Sequence, residues 1–383
     1  MNQCDSQKNV FGTWECPDNN YATINTYLSP YLEQAKSVRR RGFFNVMSRI
    51  QFKHSYHDII LLGNLLEAWK EFVKGKRHRK DVQEFERNLM ANIISLHHDL
   101  VEKNYRHRAY EAFKISDPKP RDIHKACVRD RLLHHALHRM LYPFFDRTFI
   151  SDSSSCRLGK GTHKANERFF SFSKKVTKNH TKTAWVLKCD IRKFFASVDQ
   201  ATLLIILTQY ISDKNIITLI AEIIGSFSSR GKRTGLPLGN LTSQLSVNVY
   251  MNEFDQFMKH KIKAKYYIRY ADDFVIFSRD KKWLEEIIYK IQEFLLRGLQ
   301  LQLHPSKISI KTIASGVDYL GWVHFQDHRV IRNVTKKRMF RNIANKKGKT
   351  ETVQSYLGLL KHGNTYKLQN KIAENLQHKK SIY

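Results

Sequence analysis

The first half of the chain is patterned as a series of helices. Apolar residues recur every three or four positions over 58–73, 82–102 and 125–145. Residues 1–36 are polar and irregular, and the stretch ISDPKPRDI at 115–123 interrupts the helical pattern with two prolines. The pattern therefore predicts a loose N-terminal arm followed by a helical region.

From residue 183 onward the pattern is typical of a sheet with helices between its strands. The run TAWVLKCDIRKFF (183–195) contains a short β-type segment, and YYIRYADDFVIFSR (266–279) has two apolar runs around a tight polar centre. The other patterns are three helices and a final strand, at about 199–225, 241–262, 281–297 and 301–312. This order predicts an α+β fold with a split β-α-β plan on an antiparallel sheet.

The chain carries a strong positive charge. The 383 residues include 66 Lys and Arg against 35 Asp and Glu, a formal charge of +31, and 42% are hydrophobic, enough to bury a large core. The basic residues form several clusters, including 37–42, 75–80 and 174–182, instead of one amphipathic helix. Nucleic acid is therefore the leading partner, although each cluster alone could be a solvated face.

Membrane, secreted and disulfide-dependent classes are not indicated. The most apolar stretch, 203–227, is interrupted by polar residues, and residues 1–20 lack a secretory signal. The five cysteines are scattered, with no pair at two-residue spacing. His134, His135 and His138 lack the acid of a zinc-protease signature, so we expect a polar helix stripe there instead of a metal site. The expected location is the cytoplasm, with no membrane partner.

Adjacent carboxylates, Asp272 and Asp273, lie at the centre of the 266–279 hairpin. An Asp-Asp pair can occur in a surface turn through turn propensity alone. Here the flanks are apolar enough to be buried, and Asp190 ends the run WVLKC, so it would lie at the tip of a neighbouring strand. Three carboxylates at one sheet edge repel one another unless cations lie among them. Divalent cations, Mg²⁺ above all, and in-line nucleotidyl transfer fit this arrangement.

Five segments in a fixed order resemble the motif series of reverse transcriptases. They are Asp190-x3-Phe194-Phe195, GLPLGNLTSQ (235–244), YADD (270–273), HPSK (304–307) and YLGW (319–322). The resemblance covers about 37–383 and implies a right-hand polymerase fold of fingers, palm and thumb. The implied parts are an N-terminal arm over 1–36, fingers over 37–183, a palm with a fingers/palm insertion over 184–325 and a helical thumb over 326–383.

The same resemblance implies roles for the acidic residues and one lysine. Asp190, Asp272 and Asp273 match the catalytic acids and, with the Ile191 carbonyl, would hold two Mg²⁺ ions, for which Mn²⁺ can substitute. Lys307 resembles the lysine that protonates the departing pyrophosphate, with an ordinary surface lysine as the alternative.

Other segments resemble contacts to the nucleotide and the primer. Phe195 matches the gate beneath the sugar of the incoming nucleotide, which favours deoxynucleotides, while Phe194 is expected in the core. The implied nucleotide-binding set is Arg121, Arg157, Lys160, Phe195, Leu238, Gly239 and Gln244. The implied primer grip is Tyr319, Leu320, Gly321 and Trp322. The palm loop at 235–244 could alternatively be only a helix cap, and Arg129 is expected to pair with acids inside the fingers.

Within this family, the chain is similar to the reverse transcriptases of diversity-generating retroelements. Many families read QG-x3-SP in the palm loop, whereas this chain reads LG-x3-SQ at 238–244, and the segments 159–165 and 355–364 add to the likeness. The group copies a template-repeat RNA into adenine-mutated cDNA, which replaces part of a target gene by retrohoming. The implied partners are the template RNA, the RNA/DNA duplex, deoxynucleoside triphosphates and an accessory variability protein.

One residue suggests a physical basis for such mutagenesis. Leu238 stands where other families have a hydrogen-bonding Gln, and discrimination between bases depends on differential contacts in the transition state. We therefore hypothesise that Leu238 makes the copying of adenine permissive, with simple packing of an apolar residue as the alternative.

Rival functions stay open at this point. A group II intron-type or antiphage-defence reverse transcriptase would share the aspartates but make faithful or untemplated DNA. A catalytically silent RNA-binding scaffold would lose the metal ligands, whereas Asp190, Asp272 and Asp273 are all present. The basic region 331–383 is expected to form thumb helices that follow the duplex through phosphate contacts, with a flexible tail as the alternative.

Overall fold

Helices and antiparallel sheets together make up the structure, a computed structural model. It describes residues 49–116, 120–229, 233–346 and 348–380. Within these ranges the chain combines helices with three antiparallel sheets, so the predicted α+β class is confirmed. None of the helices in those ranges is long and apolar enough to cross a membrane. The predicted arm over 1–36 and the basic cluster at 37–42 lie outside the described residues.

The N-terminal helices pack against one another, as their periodicity predicts. They are α1 (Tyr56–Ile60), α2 (Leu62–Val73), α3 (Lys80–Arg87), α4 (Leu89–Val101) and α5 (Val128–Asp146). α1 begins with a capping box in which Ser55 and Asp58 exchange hydrogen bonds. α2 packs along α5, and the apolar stripes of both, including Phe72 and Leu137, are buried.

A hairpin occupies the region in which the prolines predict only a break. Its strands, β1 (Glu111–Ile115) and β2 (Arg121–Lys125), pair antiparallel, with Glu111 opposite Lys125 and Ile115 opposite Arg121. Most of its side chains are exposed or half-buried, so neither strand has the alternation of apolar and polar residues by which half-buried strands are recognised.

In the described part of the chain, the central sheet has four antiparallel strands in the order β4-β5-β3-β6. They are β3 (Trp185–Asp190), β4 (Tyr267–Tyr270), β5 (Asp273–Ser278) and β6 (Ser309–Thr312). Alternate residues of β3 enter different cores, Leu187 on one face and Val186 on the other. The strand predicted over 301–312 is shorter than expected, because a 3₁₀ turn at Pro305–Lys307 precedes β6.

Helices cover both faces of this sheet. They are α6 (Thr162–Val176), α7 (Phe194–Ser197), α8 (Gln200–Thr208), α9 (Lys214–Gly225), α10 (Leu241–Gln256) and α11 (Lys281–Leu299). A π-helical turn, Phe257–Lys261, continues α10. Asp199, Asp213 and Asp280 precede α8, α9 and α11, and each side chain accepts a hydrogen bond from the first turn.

The basic C-terminal region packs around a core of its own. Its strands and helices are β7 (Val317–Tyr319), β8 (Trp322–His324), β9 (Arg329–Ile331), α12 (Asn333–Asn345), α13 (Thr350–Leu360) and α14 (Tyr366–Lys380). Trp322, Met339 and Leu360 are buried together there. A Cβ on Gly363 would lie 2.1 Å from the Trp322 ring, so the chain can pass this close only with glycine. The predicted helices are present, and the flexible-tail alternative does not hold for the described residues.

The histidines of α5 do not form the predicted polar stripe. His134 is buried, neither ring nitrogen has a hydrogen-bond partner, and the ring stacks on that of His107 at a centroid distance of 5.3 Å. Burial lowers the pKa of His134 to about 3 and the pKa values of His135 and His138 to about 4. The prediction was wrong because α5 is packed on most of its surface, leaving little of it to face a polyanion.

A buried ion pair ties β4 to α10. Arg269 donates to both carboxylate oxygens of Asp255, with Nε–Oδ1 and Nη2–Oδ2 distances of 2.8 and 2.7 Å, and neither side chain is exposed. The Tyr267 hydroxyl donates to the same carboxylate at 2.7 Å, and Arg269 also donates to the Ser153 hydroxyl and the Ala271 carbonyl. Such bidentate pairs are directional, so this one holds the end of β4 and the turn that follows in place.

Replacing Arg269 should therefore destabilise the protein strongly. Arg269→Met leaves the Asp255 carboxylate buried without its cation, which costs about 3–5 kcal/mol in the free energy of unfolding. Tyr267→Phe removes one donor and should cost about 1–3 kcal/mol. Urea unfolding measures both, and the double variant Arg269→Met/Asp255→Leu should recover part of the loss. Equal stability of Arg269→Met and Tyr267→Phe would contradict this view of the pair.

The buried histidine should make stability fall in mild acid. His134 in the folded chain stays neutral down to about pH 3, whereas the unfolded chain takes up a proton near its usual pKa of about 6.5. Stability is therefore retained above pH 6.5 and lost as the pH falls toward 3, by about 2 kcal/mol between pH 7 and pH 5. His134→Leu should reduce that loss in urea unfolding at the two pH values. An unchanged loss in this variant would show that His134 is not the group responsible.

Candidate active site

The register of the central sheet brings the predicted acids together. Asp190 on β3 lies directly opposite Asp273 on β5, and Asp272 lies in the two-residue turn between β4 and β5. The Ile191 amide donates to the Asp272 carbonyl at 3.2 Å, which holds the turn against the end of β3. Ala271 has a positive φ of 55°, so the turn is tight despite containing no glycine. The three carboxylates thus share one edge of the sheet.

Burial and mutual repulsion make this edge electrostatically unfavourable. Burial, assisted by Asp190 and Asp272, raises the pKa of Asp273 to about 7 against the opposing charge of Lys188. Burial and the Asp190 charge likewise raise the pKa of Asp272. The Oδ1 atom of Asp273 is buried without a hydrogen-bond partner. The cluster therefore needs more positive charge than the neighbouring side chains supply.

Two lysines contact the carboxylates. The Lys307 ammonium lies 2.8 Å from Asp190 Oδ1, and its 3₁₀ turn is held in place by the His304 amide, which donates to the Asp190 carbonyl at 2.7 Å. Lys188 Nζ lies 3.6 Å from Asp273 Oδ2. Lys307 is thus part of the acidic site and not simply a surface lysine.

The donor atoms suit a hard cation that completes its coordination with substrate. Asp190 and Asp272 offer carboxylate oxygens beside the backbone of Ile191. Across the described ranges, no three His, Cys, Asp or Glu side chains form a group that could by itself hold a metal ion. Mg²⁺ is commonly bound by one or two carboxylates together with substrate phosphates. The residues therefore fit such a shared site better than a closed protein cage.

The palm loop links the predicted gate to the N-terminal hairpin. The Leu236 amide donates to the Phe195 carbonyl at 2.8 Å, and the His124 amide on β2 donates to the Leu238 carbonyl at 3.1 Å. Gly239 has a φ of +112°, and a Cβ there would lie 3.1 Å from the Ile123 side chain. The loop is thus held from two sides, with the Leu238 side chain half-buried between them.

The residues on either side of the palm loop differ in burial. Phe194 is buried, as expected for a core residue, and Phe195 beside it is half-buried. Gln244 is half-buried in the first turn of α10. Asn240 precedes that helix, but its side chain makes no capping hydrogen bond. The side-chain nitrogen Nδ2 of Asn240 is buried without a partner. The loop is therefore not explained by helix capping alone.

Of the three predicted nucleotide-binding cations, Arg121 is the one whose charge bears on the acids. It is exposed at the start of β2, and its charge offsets a small part of the rise that burial and Asp190 cause in the pKa of Asp272. Arg157 instead donates to the Asp146 carboxylate and to the Ile150, Ser153 and Asp146 carbonyls. Lys160 donates to the Ser151 carbonyl at 2.9 Å. Arg157 and Lys160 thus donate within their own loop, and their contact with a nucleotide stays a prediction.

The predicted primer-grip segment is a hairpin whose larger side chains are buried. Tyr319 is fully buried with its hydroxyl unpartnered, and Trp322 is buried in the C-terminal core. Leu320 and Gly321 form the turn between β7 and β8, with φ values of +46° and +90°. A positive φ is unusual for leucine, so the backbone at Leu320 is strained, whereas glycine adopts such a φ readily. The turn itself, rather than Tyr319 or Trp322, is the part available for contacts.

Three charged residues around the site were not predicted to have a role there. They are Lys188 and Arg269, which interrupt apolar runs in the sequence, and Asp255, which lies in the buried helix α10. A charged residue inside a buried strand or helix requires a partner, and that requirement is the signal that could have revealed them. Arg129, by contrast, pairs with Asp99 and Asp130, as predicted.

Comparisons with known proteins agree with this arrangement. The reverse transcriptase (RNA-dependent DNA polymerase) family profile matches residues 115–324. Protein YkfC of Escherichia coli (strain K12) is 26% identical over 57% of this chain and 65% of its own length. The group II intron-encoded protein LtrA of Lactococcus lactis subsp. cremoris is 23% identical over 60% of this chain and 48% of its own length.

The extent of these matches decides what they establish. The chain spans less than two thirds of the length of either relative, so their full activities do not transfer directly. The family profile, however, covers more than half of the 383 residues and includes the acids, the palm loop and the predicted primer grip. The chain belongs to the reverse transcriptase family.

Proposed function

We propose that this chain is an RNA-directed DNA polymerase. The observation that carries the proposal is the strand register that sets Asp190 opposite Asp273, with Asp272 in the adjoining turn, in a member of the reverse transcriptase family. Clustered carboxylates at one sheet edge suit the divalent cations that nucleotidyl transfer requires. A silent RNA-binding scaffold would have no need to maintain this unfavourable cluster.

In this proposal the chain's own residues prepare the site for chemistry. Asp190 and Asp272, with the Ile191 carbonyl, would hold Mg²⁺ or Mn²⁺ ions, and Asp273 would add negative charge beside them. Two bound ions would activate the primer 3′-hydroxyl and neutralise the leaving pyrophosphate. Lys307, which lies 2.8 Å from Asp190, would give a proton to the pyrophosphate as it leaves.

The proposal also includes contacts to the nucleotide and the primer. Phe195 would lie beneath the sugar, Leu238, Gly239 and Gln244 would border the nascent base pair, and Arg121 would face the triphosphate. We leave Arg157 and Lys160 out of direct contact, because their hydrogen bonds shape the loop that they belong to. The turn at Leu320 and Gly321 would hold the primer end, with Tyr319 and Trp322 anchoring it from below.

We further propose a right-hand arrangement of the chain. Fingers over 37–183, a palm over 184–325 and a thumb over 326–383 would enclose the RNA/DNA duplex, with 1–36 as an arm. The central sheet carrying the acids supports the palm assignment, and the separate core of the C-terminal helices supports the thumb assignment. Basic residues on those helices would contact phosphates and make binding sensitive to salt.

The finer proposal is a mutagenic role in a diversity-generating retroelement. The palm loop reads LG-x3-SQ, and the segments 159–165 and 355–364 add to the likeness. These two segments meet in the structure, where the ring centroids of His163 and His362 lie 3.9 Å apart. The enzyme would then copy a template-repeat RNA into adenine-mutated cDNA for retrohoming, with an accessory variability protein as partner. The similarity to LtrA instead favours a faithful, intron-type enzyme as the second candidate.

Primer extension tests the polymerase proposal. Purified protein with Mg²⁺, deoxynucleotides and a primed RNA template should extend the primer, and Asp272→Ala should reduce the rate by roughly a hundredfold or more because a metal ligand is lost. The matched control is Asp327→Ala, which removes an exposed aspartate between β8 and β9. Its rate should stay within about twofold of the wild-type rate. Equal activity of the two variants would exclude the proposed site.

Sequencing the cDNA tests the role of Leu238. If the apolar side chain relaxes discrimination, wild-type errors should concentrate opposite template adenines, and Leu238→Gln should lower them by roughly 3–10-fold through a restored polar contact. Leu296→Gln, at an exposed position on α11, is the matched control and should leave the errors unchanged. Accurate cDNA from the wild type would favour the intron-type function instead.

A further inference from the structure

Lys188 lies between the acidic edge and the hairpin of β7 and β8. It precedes Asp190 by two residues on β3, so both side chains are on the same face of the sheet. Its Nζ lies 3.6 Å from Asp273 Oδ2 and donates a 2.7 Å hydrogen bond to the Asp318 carbonyl. One ammonium group therefore contacts both a predicted catalytic acid and the backbone of the strand leading to the Leu320–Gly321 turn.

Asp318 is also held from its other side. Its carboxylate pairs with the guanidinium of Arg332, the residue that immediately precedes α12. The Arg332 amide donates to the Gly321 carbonyl at 3.1 Å. The contacts thus continue from Asp273 through Lys188 and Asp318 to Arg332, which is bonded to the turn itself and begins the first C-terminal helix.

The surroundings show why an uncharged side chain could not replace this lysine. Lys188 is 19% exposed and Asp273 is 21% exposed, so solvent offers little compensation to either. Asp273 Oδ1 and the Tyr319 hydroxyl are already buried without partners. Removing the ammonium would leave the other Asp273 oxygen without its cation and the Asp318 carbonyl without its donor, each of which is costly in a partly buried site.

We propose that Lys188 is a positioning residue that sets the β7–β8 hairpin in register with the catalytic acids. The inference rests on the proposed function, in which that hairpin holds the primer end. A primer 3′-hydroxyl must reach the reacting phosphate within a few tenths of an ångström, and a link between the acids and the hairpin maintains that distance. Lys188 acts through Asp273 and the Asp318 carbonyl, and we assign it no contact with substrate.

Lys188→Met tests this role, because methionine keeps most of the length and apolar stem but lacks the charge and the donor. Lys311→Met is the matched control, since Lys311 is an exposed lysine on β6 of the same sheet. Lys188→Arg is the rescue variant, because it restores a cation with several donors. Amide hydrogen exchange over 317–324 reports the hairpin without any need for catalysis.

In the exchange experiment, Lys188→Met should speed exchange over 317–324 by roughly fivefold or more, while Lys311→Met should not change it. In primer extension, Lys188→Met should lower kcat by roughly tenfold with a smaller change in the KM for deoxynucleotides. The Mg²⁺ concentration for half-maximal rate should stay the same or fall, because positive charge near the acids has been removed. General damage to the site would raise it. Lys188→Arg should recover most of the rate.

The outcomes separate this inference from the proposed function. Unchanged hairpin exchange in Lys188→Met overturns the positioning role, whether or not the wild type makes DNA. Faster exchange with kcat equal to that of Lys311→Met also overturns it, because the hairpin would then not control primer placement. No DNA synthesis by the wild type, with faster exchange in Lys188→Met, would refute the polymerase function and leave only the structural link between Lys188 and the hairpin.

Discussion

The pairing of β3 with β5 is the constraint on which the site depends. Backbone hydrogen bonds along the two strands, with cores on both faces of the sheet, fix Asp190 opposite Asp273 even though their carboxylates repel one another. A slip of one residue would turn every side chain of a strand to the other face and would expose Leu187 or bury the acids in a core. The apolar packing of the sheet therefore opposes the electrostatic cost at its edge.

Charged residues beneath the site then determine where the acids lie relative to the rest of the chain. Arg269 fixes the turn before Asp272 by pairing with Asp255, and Lys188 connects Asp273 to the hairpin of β7 and β8. Buried ion pairs add little net stability over apolar packing, but their geometry is directional. They suit a site in which distances matter more than stability, and that explains why charged residues interrupt otherwise apolar strands.

Much of the fold was predictable because its elements bury one face. The helices α2 and α5 and the strands β3, β4 and β5 have the periodicity that burial imposes, and their predicted positions agree with the structure to within a few residues. The β1–β2 hairpin was missed because its exposed strands have no such periodicity. The polar stripe expected around His134 was wrong for the opposite reason, since a helix packed on most of its surface can bury polar residues that a one-sided helix would expose.

The acids could be predicted because their chemistry has few alternatives, whereas the cations around them could not. Any Lys or Arg near these motifs is a reasonable phosphate ligand from its sequence, and only the structure shows that Arg157 is occupied by Asp146 while Arg121 is exposed at the start of β2. Side chains committed to fixed partners shape a site, and uncommitted ones are available to substrate. Lys188 and Lys307 are both paired with the acids, so most of the neutralisation of a triphosphate would come from ions that bind with it.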